Sequence, residues 1–255
     1  MPGLEGMTEI GYSTKDAIYI RNVNLVDEIV GHRSMTDVLC LCILGDFPDA
    51  NSRVMVDSLI ASMVDHGLTP SILAARLTLL GAPESLQGAV SAGLLGAGSR
   101  FLGTMQDTNQ MLQSTVNGAG NLSDAGAFAS IANKIVRDHK AQGDLVPGMG
   151  HPIHRDGDPR VERLTEVARD TGFFGDCCKL FVAIETAMER VHGRFIPANA
   201  AGAAGAITAD MGLSGEAARG LAIVARSIGL VAHMLEEYES PMAQEIWGLA
   251  AAFPE

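Results

Sequence analysis

Aromatic residues are scarce in this sequence: Phe, Trp and Tyr together make up 5% of its 255 residues. β-Strands are enriched in aromatic and β-branched side chains, whereas closely packed helices favour the small and unbranched residues that abound here. The scarcity therefore argues against a sheet protein and predicts an all-α fold. With 47% hydrophobic residues, a chain of this length can bury at least one sizeable core, so disorder is not expected.

Positive charge is also in short supply, because 18 Lys and Arg residues stand against 30 Asp and Glu residues, giving a formal net charge of -12. Nucleic-acid binding depends on clustered Lys and Arg that neutralise phosphates. We therefore expect no nucleic-acid partner. The charge balance favours small-molecule ligands instead.

Cysteine usage and hydrophobic runs bear on location. Cys40, Cys42, Cys177 and Cys178 form neither a CxxC element nor a disulfide framework, which favours free thiols and a cytoplasmic protein. Residues 1–11 lack the basic and apolar regions of a signal peptide. A membrane span needs about 18 uninterrupted apolar residues, and no stretch reaches that length. We expect no membrane partner.

The spacing of apolar residues predicts most of the helices. A helix capped by Ser214 is predicted from apolar residues at intervals of three and four: Leu221, Val224, Ile228, Val231 and Leu235. Another is predicted from Ser123, with Asp124 in its first turn, to a stop at Gly143. Further helices are predicted at 34–44, 50–65, 85–97, 104–115, 158–170, 176–192 and 241–251. Strand evidence is confined to AIYIRNV, which is too short to form a sheet without partners.

The most informative segment is VPGMGHPIHRDGDPR, residues 146–160, which combines three glycines, three prolines, two histidines and two arginines. His151 supplies a titratable imidazole and Arg160 a fixed guanidinium, while the glycines let the backbone approach a ligand. The segment is equally compatible with a surface turn in which Asp158 caps a helix and Pro159 takes its first position. Composition leaves both interpretations open.

No metal site is predicted, although His151 and His154 are three residues apart. No carboxylate and third ligand appear at a convincing spacing, so two loop histidines are the simpler interpretation. ATP use is not predicted either, because the sequence contains no Gly-Lys-Ser/Thr phosphate loop.

The segment resembles the citrate synthase superfamily, whose members carry a Gly-x-Gly-His segment followed, seven residues after the His, by Asp-Pro-Arg. In this sequence Asp158, Pro159 and Arg160 follow His151 at that spacing. Three further segments resemble the superfamily in the same order: VDHGLTPSILAARL at 64–77, GLLGAGSRFLGTMQD at 93–107 and VARSIGLVAH at 224–233. Phe101 lies where true citrate synthases have His. In this the chain resembles citryl-CoA lyase and the citrate-synthase-homology module of ATP-citrate lyase.

The resemblance implies roles for four side chains. His66 and His151 would polarise the hydroxyl or carbonyl group of a small carboxylic acid, where charge develops during the reaction. Arg160 and Arg226 would bind carboxylates through their planar guanidinium groups. The alternatives are that His66 is a cation at a helix C-terminus and that Arg226 forms a surface salt bridge.

The resemblance also implies the ligand, the domains and the assembly. The substrate would be an acyl-CoA, with coenzyme A contacted near its adenine by the backbone of four residues: Val146, Gly148, Met149 and Gly150. A large domain, 1–116 completed by about 211–255, would be joined to a small domain, 117–210. Members of the superfamily form dimers, so a homodimer or higher homo-oligomer is expected.

The chain departs from the superfamily at the general base. The base is an aspartate in a segment that opens a helix, and here Ala201 occupies its place in NAAGAAGAITADMG. Asp210 is nine residues further along the predicted helix, roughly 13 Å away at about 1.5 Å per residue, so it cannot easily replace the missing base. His192 and Asp107 are the candidates for that role.

Two functions are therefore compatible with the sequence. One is a Claisen-type lyase or synthase acting on a CoA thioester and a small carboxylic acid, with an unidentified base. The other is a catalytically weakened or non-catalytic paralogue that binds the same ligands, for example a regulatory subunit. A purely structural helical protein is a third and weaker hypothesis, because a scaffold has no need of the segment at 146–160.

Overall fold

The computed structural model describes residues 8–120, 122 and 125–252, and most of them are helical. The prediction of an all-α protein is confirmed. Contacts divide the chain into two compact units, Met1–Ser58 and Leu59–Glu255. The division into a large domain and a small domain at 117–210 stays a prediction.

The first unit contains a small antiparallel sheet of three strands, β1 (Gly11–Ser13), β2 (Ile18–Ile20) and β3 (Val23–Asn24), paired in that order. Arg21 and Asn22 have φ of 43° and 66° and form the tight connection between β2 and β3. The stretch AIYIRNV therefore folds back on itself and takes β1 as its additional partner.

Helices follow the sheet. A π-helical turn at Leu25–Ile29 precedes α1 (Met35–Leu44), whose N-terminus has a capping box between Ser34 and Asp37. α2 (Ala50–Met63) begins in the first unit and ends in the second. Both α-helices match predicted segments.

The second unit consists of nine helices among its described residues. They are α3 (Pro70–Gly81), α4 (Leu86–Leu102), α5 (Thr104–Gly118), α6 (Ala125–Gln142), α7 (Pro159–Thr171), α8 (Asp176–His192), α9 (Ala200–Asp210), α10 (Gly215–Glu239) and α11 (Ala243–Ala251). The predicted start of α6 at Ser123 and Asp124 lies outside the described residues. The remaining predicted helices are confirmed to within a few residues.

A tight helix contact fixes the position of the loop that carries His66. α10 packs against this loop at Gly229, where an added Cβ would lie 2.0 Å from the carbonyl oxygen of Val64. Only glycine allows that approach without moving the backbone. The helix bearing Arg226 is thereby held beside the residues that lead into His66.

The buried face of α10 differs from the stripe that its sequence suggests. Ser214 caps the helix as predicted, and Leu221 is buried. Ile228, Val231 and Leu235 are instead 51%, 38% and 52% exposed. The residues that pack inward are mainly small: Ala218, Ala222, Ala225, Gly229, Leu230 and Met234. The described residues leave much of the predicted apolar stripe uncovered.

α10 is also, within the described part of the chain, the one helix long and apolar enough to cross a membrane. Core helices of soluble proteins pass the same test of length and composition. Leu221 and Leu230 of α10 are fully buried within the protein. The length of α10 is therefore weak evidence for a membrane.

Candidate active site

Three imidazoles meet in the second unit. His66 lies in the loop between α2 and α3, and His151 and His154 lie in the loop that leads into α7. The ring centroids of His66 and His151 are 5.0 Å apart, and His154 is 4.5 Å from His151 and 5.8 Å from His66. The two predicted histidines are thus brought together, with a third beside them.

Backbone hydrogen bonds determine the tautomer of His151. Its Nδ1 accepts from the amides of Ile153 and His154, at 3.1 and 2.8 Å. An imidazole nitrogen that accepts carries no proton, so the neutral ring holds its proton on Nε2. Nε2 is therefore a hydrogen-bond donor, as polarisation of a substrate oxygen requires.

The carboxylate of Asp158 organises the neighbouring helix starts. It caps α7 at the amide of Arg160 and accepts from the amide of Ala200 at the start of α9, at 3.1 and 3.0 Å. Its Oδ2 is 3.9 Å from Nε2 of His151. Burial alone would raise its pKa, but the Arg160 guanidinium and the backbone amides outweigh burial and lower the pKa to about 2. The cap predicted for a surface turn is present, and it is part of the site.

The two predicted arginines differ in their partners. Arg160 donates from Nε and Nη2 to Asp158, at 3.0 and 2.8 Å, and from Nη1 to the carbonyl of Ser62 at 3.2 Å. No hydrogen bond or ion pair joins Arg226 to any residue that the structure describes, and its Nη1 is buried. Burial lowers the pKa of Arg226, the Asp65 carboxylate acts in the opposite direction, and the positive charge of Arg160 adds to the lowering. Arg226 therefore does not form the surface salt bridge considered as its alternative.

Burial favours the neutral form of His66 and of His151. Burial and the nearby Arg160 guanidinium lower the pKa of His66 below its usual 6.5. Burial also lowers the pKa of His151, although the Asp158 carboxylate acts in the opposite direction. The Nε2 atom of His66 is buried without a hydrogen-bond partner. Neutral rings beside guanidinium groups suit an anionic ligand with an oxygen between the imidazoles.

A network of charged side chains supports the loop that carries His66. Asp65 accepts from Nε2 of His233 at 2.9 Å, and His233 Nδ1 accepts from Arg76 at 2.9 Å. Arg76 is fully buried and is also paired with Glu236 and Glu237. These groups connect the residue before His66 to helices α3 and α10.

The segment expected to contact coenzyme A is anchored to the start of α9. The Asn199 amide donates to the Gly148 carbonyl at 2.9 Å, and the Gly150 amide donates to the Pro197 carbonyl at 2.7 Å. The Met149 amide donates to the Val146 carbonyl at 3.1 Å. Val146 and Met149 have buried side chains. Coenzyme A contact by these four residues stays a prediction.

Ala201 lies in the first turn of α9 and is half-buried, whereas the eight residues after it are buried. Asp210, at the other end of α9, accepts from the amides of Gly175, Cys177 and Cys178 at 2.8 to 2.9 Å. Asp210 therefore serves as a cap for α8. This role agrees with its exclusion as the missing base.

The three imidazoles also have the spacing of a metal site, because one ring nitrogen from each lies within 4.8 Å of the others. The tautomer of His151 disfavours this. Its Nδ1 accepts backbone hydrogen bonds and its Nε2 carries the proton, so neither nitrogen offers a free lone pair to a metal. The prediction of no metal remains untested.

Comparisons with known proteins assign the family. The citrate synthase C-terminal domain family matches residues 8–247. The citryl-CoA lyase of Hydrogenobacter thermophilus is 31% identical, with a TM-score of 0.80 over 91% of this chain and 87% of that one. The chain belongs to the citrate synthase family. The predicted citrate-synthase-like fold is therefore confirmed.

More distant structures share the fold. The ATP citrate lyase of Methanosaeta concilii, as an aspartate-to-alanine mutant in complex with (3S)-citryl-CoA, is 20% identical with a TM-score of 0.71. The match covers 91% of this chain and 38% of that one. The citrate synthase of Thermoplasma acidophilum is 17% identical with a TM-score of 0.65, over 83% of this chain and 57% of that one. No curated protein matches the sequence.

Sequence reasoning missed two features of this citrate synthase family member. The sequence favours an ordinary loop histidine at position 154, although the spacing of three residues from His151 is a visible signal. The network of Asp65, His233 and Arg76 gave no local signal, because its members are up to 168 residues apart. Only the packing of α3 and α10 brings these charges together.

Proposed function

We propose that the chain binds a coenzyme A thioester beside a small carboxylic acid and makes or breaks a carbon–carbon bond between them. The observation that carries the proposal is the pair of buried, unpartnered atoms, Nε2 of His66 and Nη1 of Arg226. Buried polar atoms normally have hydrogen-bond partners, and a guanidinium without one is costly. An anionic ligand would supply the missing acceptors.

The roles of the side chains follow from their protonation. His151 would donate from Nε2 to the oxygen on the reacting carbon, and His66 would donate to the same oxygen from the other side. Arg226 would bind a carboxylate of the acid, and Arg160 would add to it with the donors that Asp158 and Ser62 leave free. The neutral donors stabilise negative charge that develops on the oxygen in the transition state.

The relatives indicate the ligand class. A citryl-CoA lyase is the relative at 31% identity, and the ATP citrate lyase structure contains (3S)-citryl-CoA in an aspartate-to-alanine mutant. We also propose that the backbone at 146–150 contacts coenzyme A. A small domain at 117–210 and a cytoplasmic location are part of the same proposal. The exposed stripe on α10 supports a homodimer, because it is apolar and uncovered in the single chain.

A second candidate is a weakened or non-catalytic paralogue that binds the same ligands. Ala201 favours it, because alanine has no proton to accept or donate. Loss of a positioned general base typically lowers the rate by about 10² to 10⁴. Such a chain would bind coenzyme A and the acid but turn them over slowly or not at all.

Purified protein and its Ala201→Asp variant distinguish the two candidates. We expect the native chain to bind coenzyme A saturably and to cleave citryl-CoA or a simpler 3-hydroxyacyl-CoA, measured by release of the acyl-CoA product. Binding without turnover, followed by turnover in Ala201→Asp, would identify a disarmed paralogue. The neighbouring variant Ala203→Ser is a control, because its side chain is buried in α9. Failure of the native chain to bind coenzyme A would refute both candidates.

A further inference from the structure

Three carboxylates of the second unit are already engaged in structural hydrogen bonds. Asp158 holds Arg160 and the start of α9. Asp65 accepts a hydrogen bond from His233, and Asp210 accepts one from the Gly175 amide at the start of α8. Protonating any of them would break contacts that support the site. None of these three is well placed to exchange a proton with a substrate on every turnover, and Asp107 is exposed at the surface.

His154, by contrast, has a ring that is not engaged. No hydrogen bond joins its imidazole to the residues the structure describes, although its ring lies 4.5 Å from His151 and 5.8 Å from His66. Its backbone amide donates to Nδ1 of His151 at 2.8 Å, so one turn positions both rings. His154 is therefore a half-buried imidazole with a free lone pair beside the two polarising rings.

The other two rings are less suited to accept a proton. His151 holds its proton on Nε2 because backbone amides occupy Nδ1. His66 is buried next to Arg160, which lowers its pKa and weakens it as a base. The start of α9, where Ala201 lies, is joined to the same Asp158 carboxylate that is 3.9 Å from His151. The missing carboxylate would thus have been near these rings.

We infer that His154 moves the proton during carbon–carbon bond cleavage or formation, in place of the carboxylate absent at Ala201. This inference rests on the proposed function. In cleavage, the neutral His154 ring takes the proton of the substrate hydroxyl, and the electron pair of that O–H bond forms the new carbonyl. The carbon–carbon bond breaks, and its electron pair becomes the enolate of the thioester. Protonated His154 then returns the proton to the enolate carbon, so no further reactant is needed.

The test uses His154→Ala and His154→Gln, with His32→Ala as the control because His32 is an exposed histidine in the first unit. Two rates are measured: cleavage of citryl-CoA, and exchange of the acetyl-CoA methyl protons with D₂O in the presence of oxaloacetate. We expect both variants to lose about 10²- to 10⁴-fold in both rates, with the affinity for coenzyme A unchanged. Added imidazole should partly restore the rates of His154→Ala, which a purely structural defect would not allow.

A carboxylate returned at position 201 gives a second readout. In the double variant His154→Ala/Ala201→Asp, we expect both rates to rise above those of His154→Ala, because the aspartate supplies the proton acceptor that the alanine variant lacks. Rates no higher than those of His154→Ala would contradict the inference.

The remaining outcomes separate the inference from the proposed function. Native-like rates in both His154 variants would overturn the inference and leave the proposed function standing. If the native chain binds coenzyme A but shows neither cleavage nor proton exchange, the inference is also overturned. The chain would then be a non-catalytic paralogue that binds the ligands. A zinc ion that stays bound after treatment with a chelator and is required for activity would overturn the inference too. The reason is that a metal-bound imidazole nitrogen cannot accept a proton. Absence of coenzyme A binding would refute the proposed function itself.

Discussion

Replacement of Arg76 by leucine is expected to lower the free energy of unfolding by about 3 to 5 kcal/mol. Arg76 is fully buried in α3 and is paired with Glu237, which is itself 6% exposed. The variant would leave the Glu237 carboxylate buried without its cation. Glu237 also accepts from the amides of Met242 and Ala243, so loosening it disturbs the start of α11 as well.

Urea unfolding followed by circular dichroism measures this loss. Arg163→Leu is the matched control, because Arg163 forms an exposed pair with Glu166 at 2.9 Å. Exposed pairs contribute at most about 1 kcal/mol. Equal losses in the free energy of unfolding would show that the buried ion pairs of Arg76 contribute no more to stability than an exposed pair.

Replacement of His151 by alanine is expected to lower the turnover number by about 10²- to 10³-fold, with a smaller effect on KM. The Nε2 proton of His151 is directed by the backbone bonds at Nδ1, and its hydrogen bond matters most when negative charge develops on the substrate oxygen. Steady-state kinetics on the thioester that the native chain turns over give the result. His139→Ala is the control, because the ring of His139 bonds to the carbonyl of Ile135 in α6.

The turnover that His151 supports is expected to fall as the solution becomes acidic. Burial holds the pKa of His151 below 6.5, so the ring is neutral at pH 7 and becomes protonated only in more acidic solution. The neutral donor is the form that the proposed chemistry uses. Unchanged turnover in His151→Ala would remove His151 from the mechanism.

Much of the fold was predictable from local signals. Ser214 caps α10, and Asp158 with Pro159 begins α7, as the sequence indicated. The burial of α10 was not predictable, because its larger apolar residues at 228, 231 and 235 are exposed in the single chain while its small residues pack inward. Hydrophobic spacing identifies a helix, but it does not show which face the chain itself covers.

The proximity of His66 and His151 was predictable only through the family resemblance. His66 and His151 are 85 residues apart in the chain, and nothing local indicates that their rings lie 5.0 Å apart. The sequence also could not show that Asp158 engages most of Arg160 while Arg226 stays unpartnered. Such differences depend on which acceptors the fold places next to each guanidinium.

A calorimetric titration of citrate into protein saturated with coenzyme A tests whether Arg226 binds a carboxylate of the acid. It is carried out with the native chain, Arg226→Ala and Arg219→Ala. Arg219 lies seven residues before Arg226 on α10 and donates to Gln106. The Arg219→Ala substitution therefore removes an equal charge from nearly the same face of the helix. We expect one citrate per chain, affinity reduced about 10- to 100-fold in Arg226→Ala, and little change in Arg219→Ala. Equal affinity in the native chain and Arg226→Ala would contradict the binding of a carboxylate by Arg226.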